Sequence, residues 1–131
     1  MTATTDTTAP APAGTAAPGP YRVMLRMEIR PGMTEDFEKV WLAIGDSVTS
    51  HPASLGQTLA RATGEENVYY IVSDWTDEPS FRLFETSDRH LEHRQQLHPF
   101  RSQGSMVTME VTARVDPSGE HTTHAAWEAA R

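Results

Sequence analysis

YRVMLRMEIRPGMTEDFEKVWLAIGDSV, residues 21–48, decides the fold. Tyr21, Val23, Leu25, Met27 and Ile29 alternate with Arg22, Met24, Arg26, Glu28 and Arg30, the period of two that marks a strand with one buried face. Pro31-Gly32 stops that strand. Thr34 then stands as the N-cap of a helix whose first turn carries Glu35 and Asp36, acids that the positive end of the helix dipole favours. Phe37, Val40, Trp41, Ile44 and Val48 recur at spacings of three and four, which predicts an amphipathic helix over 35–49 with Trp41 in the core. His51-Pro52 ends it.

Downstream, residues 54–62 (SLGQTLARA) form a weaker strand and Thr63 to Asn67 a hairpin-like turn. Val68 to Trp75 is rich in β-branched and aromatic residues and reads as a good strand. Asp77-Glu78-Pro79 opens a short helix with Phe81, Leu83 and Phe84. Ser87 or Asp88 caps a second helical stretch that runs through Leu91 and Leu97 to Pro99. A last strand is expected at Met106 to Val115, with Val107, Met109, Val111, Ala113 and Val115 on one face. The order is β-α-β-β-α-β, the split βαβ of a ferredoxin-like α+β fold. Such a fold is a four-stranded antiparallel sheet with its helices on one face. The 68–75 strand is apolar at nearly every position, so the sheet's other face also needs a cover. A second copy supplies it economically, which predicts a homodimer built as a dimeric α+β barrel.

Residues 1–20, an Ala/Thr/Pro-rich stretch with one charge at Asp6, have little to bury and read as a disordered tail. Asp116-Pro117-Ser118-Gly119 is a breaker cluster, so the folded domain is expected at 21–115, with 116–131 as a flexible or short helical tail. The net charge of -7, with Lys39 the single lysine and no clustered basic stripe, excludes a phosphate-binding surface for nucleic acid and an anionic-membrane dock. No apolar run approaches the length of a membrane span, and no basic and apolar leader opens the chain. Cysteine is absent, which removes disulfides, thiolate metal sites and cysteine nucleophiles. A cytoplasmic location is the expectation. No GxGxxG, phosphate loop, GxSxG or HExxH is present.

The opening strand with Pro31-Gly32, the helix containing Phe37, the strand ending Ser73-Asp74-Trp75, Phe81, and the helix with His90, His93 and His98 together resemble the antibiotic biosynthesis monooxygenase family of the dimeric α+β-barrel superfamily. The resemblance covers 21–115. It implies a ferredoxin-like homodimer, a role in secondary metabolism, and an oxygenase that works on aromatic polyketide intermediates with dioxygen but with neither metal nor flavin. It also implies a wall for the substrate at Trp75, Phe81 and Phe84. Two polar positions of the quinone-forming members are replaced here: their asparagine by Ile71 and their downstream tyrosine by Phe81. Haem-degrading relatives use an Asn, Trp and His set; the aligned places are Leu25, Phe84 and Arg94, with His93 one position off, so haem chemistry is not expected.

The polar cluster from Asp88 to Arg94 carries the candidate chemistry. On a helix His90, His93 or Arg94, and Leu97 share a face, while Glu92 lies with Arg89 and Gln96. An imidazole titrates near neutrality, so His93 or His90 is placed to take a phenolic proton, leaving an electron-rich phenolate that reacts with dioxygen directly. Arg94 then holds the anion. The plain reading of the histidines is solvated residues of an exposed helix, and of Trp75 ordinary core. His90-x-x-His93 lacks a third ligand for a metal. The same pocket would serve a polyketide cyclase, in which a His or Arg enolises a poly-β-ketone. A filled core would instead mark a non-catalytic dimeric binding module. The oxygenase reading requires an apolar pocket between sheet and helices, with Trp75 and His90, His93 or Arg94 facing inward.

Overall fold

In the computed structural model, which describes residues 21–123, the chain follows the expected order. β1 (Tyr21–Ile29), α1 (Thr34–Thr49), β2 (Ser54–Arg61), β3 (Val68–Trp75), α2 (Glu78–Glu85), α3 (Asp88–Leu97) and β4 (Arg101–Glu110) make the domain, with one 3-10 turn at His98–Phe100. The strands pair antiparallel in the order β2-β3-β1-β4, so the fold is ferredoxin-like. The stretches 1–20 and 124–131, which include the Ala/Thr/Pro tail and the second half of the expected C-terminal tail, lie outside the described residues. None of the described helices is long and apolar enough to cross a membrane.

The sequence signals act close to where they stand. After β1, Gly32 takes a φ of 82°, a left-handed conformation that glycine adopts without strain, and the turn closes through Met33 N–H to Arg30 O (3.0 Å). That closure hands the chain to the helix one residue early. Met33 therefore holds the N-cap position expected of Thr34, and no side chain caps the helix. Asp77 caps α2 by accepting from Ser80 N–H (2.8 Å), and Ser87 caps α3 by accepting from His90 N–H (3.2 Å).

β4 departs from the expectation at both ends. It starts at Arg101, five residues before the apolar run, because the ladder with β1 extends through polar Arg101 to Ser105. It stops at Glu110, which pairs with Tyr21, the first described residue of β1. The expected single strand thus breaks. Ala113–Val115 becomes β5, and residues read as the start of a loose or helical tail turn at Asp116 and return as β6 (His121–Thr123) in a separate two-stranded hairpin.

Register fixes the two faces. Val23, Leu25, Met27 and Ile29 of β1 and Tyr69, Ile71, Ser73 and Trp75 of β3 point at the helices. Arg22, Met24, Arg26 and Glu28 share the other face with Tyr70, Val72 and Asp74. The arginines there are neutralised within the chain: Arg22 meets Asp74 through two bonds (2.6 and 3.1 Å), and Arg26 meets Glu28 (3.0 Å) and Glu65 (2.6 Å).

The core on the helix side is split in two. One cluster holds Val23, Ala53, Trp75, Phe81 and Phe84; the other holds Met27, Ile29, Phe37, Tyr69 and Ile71. Phe37 is 0% exposed and packs on Tyr69 (ring centroids 5.0 Å apart) and Phe100 (6.3 Å). Its truncation leaves a cavity at the seam of α1 and β3. Phe37→Ala should cost about 3–5 kcal/mol of stability, read from urea unfolding; a loss below about 1 kcal/mol would contradict this packing.

Candidate active site

The two core clusters stand apart because both border a cavity of about 770 Å³ between the sheet and helices α1 and α3. Val23, Leu25, Met27 and Ile71 form its apolar floor; Trp41, Ile44 and Val48 line it from α1. All six residues singled out from the sequence, His90, His93, Arg94, Trp75, Phe81 and Phe84, line this one cavity. The size and the mix of apolar walls with a few polar groups suit a small organic ligand.

Trp75 is 1% exposed and wedged among rings: Phe84 at 4.9 Å, Phe81 at 5.2 Å and His51 at 5.9 Å between centroids. Its Nε1–H donates to Ser73 Oγ (2.9 Å). Ser87 fixes the start of α3, and its own hydroxyl donates back to Phe84 O (2.7 Å), so α2 and α3 meet at a set angle beside Trp75. Phe84 then carries the His90 ring at 4.7 Å, and His93 follows at 6.5 Å from His90.

The histidines are not solvated. His93 is 7% exposed and His90 is half-buried, and the Nδ1 of each is enclosed without a hydrogen-bond partner among the described residues. Burial holds the His90 imidazole below its ordinary value; the charges of Arg94 and His93 add to this, and Glu85 opposes it. Burial likewise lowers His93, with Arg89 adding and Glu92 opposing. Both are therefore neutral imidazoles at pH 7, each with a ring nitrogen free to accept a proton. Arg94 is exposed but reaches the cavity wall. Among the described residues no three His, Asp or Glu side chains gather to hold a metal ion.

Several lining residues escaped the sequence reading. Trp41 is half-buried and borders the cavity instead of lying sealed in core. Ser73 and Gln57 face each other across β3 and β2 on the cavity floor, and Glu85, Arg101 and Ser105 stand on its walls. Strand alternation was the available signal for Ser73, since it shares a row with Tyr69, Ile71 and Trp75.

With this fold and site in place, the family can be stated. The profile of the antibiotic biosynthesis monooxygenases matches residues 20–96, and the chain belongs to that family. Protein SchA of Streptomyces halstedii is 27% identical over 79 residues, a match spanning 60% of this chain and 21% of SchA, so the chain corresponds to about a fifth of that protein. The structure of SnoaB, a cofactor-independent oxygenase from Streptomyces nogalater, superposes with a TM-score of 0.63 at 23% identity, over 74% of this chain and 95% of SnoaB. A Caulobacter crescentus structure placed with the same monooxygenases gives 0.66 at 20% identity, over 72% and 92%. Both share the fold.

The lowered imidazoles have a consequence for stability. Below the ordinary value of 6.5 the unfolded chain takes up protons at positions 90 and 93 before the folded chain does. The unfolded state then binds more protons, so stability falls as pH falls through this window and is fully present above it. Thermal melts from pH 7.5 to 5.5 should show this decline, and a His90→Gln, His93→Gln variant should flatten it. A wild-type melting temperature that holds constant over the range would refute the burial of the pair.

Proposed function

We propose that this protein is a monooxygenase that needs neither metal nor flavin, acts on a phenolic, polyketide-type aromatic in secondary metabolism, and works as a homodimer. One observation carries the reading: two enclosed, neutral imidazoles border an aromatic-walled cavity large enough for a ring system of about three fused rings. Membership of the family and the likeness to the SnoaB fold support it.

In this reaction the substrate lies flat against Trp75, Phe81 and Phe84. His93, with His90 as its neighbour, takes the proton of the phenolic or enolic oxygen. Arg94 at the cavity wall stabilises the resulting anion. The anion passes one electron to dioxygen, and the radical pair combines as a carbon-bound peroxide that recovers the proton from imidazole. Loss of the remaining ring C–H proton breaks the O–O bond, leaves a carbonyl and releases the second oxygen as water. An anthrone and dioxygen thus give a quinone and water, with atoms and electrons balanced. The apolar and aromatic walls keep the neutral base competent and shield the radical pair.

The sheet face opposite the helices supports the dimer. Met24, Val72, Val107 and Met109 lie on it, Val107 at 51% exposure, beside arginines already paired with acids. Such a face buries against a second copy without stranding a charge.

Oxygen uptake by metal-stripped, flavin-free protein given anthrone- and naphthol-type phenols tests the chemistry. His93→Ala should lower kcat by about 100-fold or more, the usual worth of a general base. Uptake that survives in the variant would remove His93 from the role. Faster cyclisation of a poly-β-ketone without oxygen uptake would move the protein to the cyclases. Sedimentation equilibrium tests the assembly: the wild type should run at twice the chain mass, and Val107→Asp at the chain mass.

A further inference from the structure

Ser73 is a polar point on the cavity floor. It belongs to the helix-facing row of β3, is 9% exposed, and is held by ladder pairing to Val23 on one side and Gln57 on the other. Its oxygen accepts the Trp75 indole N–H at 2.9 Å. A serine hydroxyl has two acceptor sites and one proton to give. Here one acceptor site is used, and among the described residues no acceptor takes the proton. Gln57 lines the cavity beside it, and its amide nitrogen reaches toward α1, 3.8 Å from the point where a Cβ on Gly45 would stand. Ile71, the neighbouring residue of the same row, is apolar, so among the β3 residues that line the cavity Ser73 carries the one hydroxyl.

We infer that Ser73 donates a hydrogen bond to an oxygen substituent of the bound aromatic, with Trp75 as the residue that positions and polarises that donor. The inference rests on the reading of the cavity as a site for an oxygenated aromatic. An indole N–H that donates to a hydroxyl oxygen strengthens the O–H as a donor in turn. Trp75, locked by three rings, cannot follow the ligand, so the direction of the relay is set before the ligand arrives. The bond is strongest to an anionic oxygen in an apolar cavity, which is where the proposed reaction develops charge. A hydrocarbon of the same shape leaves the Ser73 proton without a partner and binds less well for that reason. Ser73 therefore selects oxygenated rings, and Trp75 acts through it as well as through its own face.

Isothermal titration of 2-naphthol, anthrone and unsubstituted naphthalene into the wild type, S73A, W75F and the double variant tests this, with oxygen uptake on anthrone followed in parallel. The expected result is about tenfold weaker binding of naphthol and anthrone to Ser73→Ala, the usual worth of a hydrogen bond to a charged or strongly polar oxygen. Naphthalene should bind as before, which a general collapse of the cavity would not allow. Trp75→Phe should weaken the oxygenated ligands relative to naphthalene by about threefold in the wild-type background and change that ratio no further beside Ser73→Ala, since the relay acts in series. The double variant also removes the orphaned indole N–H that Ser73→Ala leaves behind, so it folds even where the single variant is destabilised. Equal losses for naphthol and naphthalene, or none in Ser73→Ala, would overturn the inference while oxygen uptake left the oxygenase reading standing. Ser73-dependent binding without uptake would keep the inference and sink the oxygenase. A wild type that binds none of the three ligands would sink both.

Discussion

β1 exchanges ladder bonds with β3 from Tyr21↔Trp75 to Glu28↔Val68, and with β4 from Tyr21↔Glu110 to Ile29↔Arg101. A strand paired along its length on both sides cannot slip by one residue without turning every side chain over. The helix-facing row of β1 is therefore fixed, and with it the rows of β3 and β4 beside it. Trp75, Ser73 and Ile71 meet the cavity because their partners Tyr21, Val23 and Leu25 do not move. The helices are seated on those rows. α1 packs through Phe37 on Tyr69, and α2 through Phe81 and Phe84 on Trp75. The position of α3, and of the histidines it carries, follows from these contacts through the Ser87 cap.

A domain of this size has little apolar burial to spare. This one nevertheless leaves its centre open and divides its core into clusters on either side. Aromatic rings carry much of the load that a continuous core would carry: Trp75 with Phe81 and Phe84 on one side, Phe37 with Tyr69 and Phe100 on the other. Rings fill volume with few rotatable bonds, so a wall made of them stays in place without a partner on its open side. The cavity walls are stiff where flexible aliphatic chains would collapse inward.

The strand and helix order was legible because residues 21–48 and 68–75 state their periods openly, and β1 with α1 needed only that. β4 was half hidden: Arg101 to Ser105 pairs by backbone alone and has no apolar pattern to read. His90, His93 and Arg94 were singled out by residue type and helical spacing, and Trp75, Phe81 and Phe84 through the family resemblance, yet their surroundings were not legible. Periodicity tells which face a residue occupies and says nothing about whether the space before that face is filled. Trp41 looked like core and borders a void; His93 looked solvated on a polar helix and is buried. Ser73 was passed over for the same reason. A lone serine in an apolar row acquires meaning only when the indole above it and the empty volume beside it are known.

Two imidazoles on one aromatic-walled cavity also constrain how protons move there. Each is disfavoured as a cation by burial, and the charge on His93 further disfavours a charge on His90. A proton on His93 thus works against a second on His90. In the proposed reaction that limit is useful. One proton leaves the substrate, waits on imidazole while oxygen adds, and returns to the peroxide, so a single carrier suffices. Glu85, which lines the same cavity and favours the charged form of His90, supplies the counter-charge during that interval. Arg94 acts in the opposite sense, pressing the proton off His90 while attracting the substrate anion. The same cation thus adds to the burial that keeps His90 neutral, leaving His93 as the base, and holds the substrate anion once that base has acted.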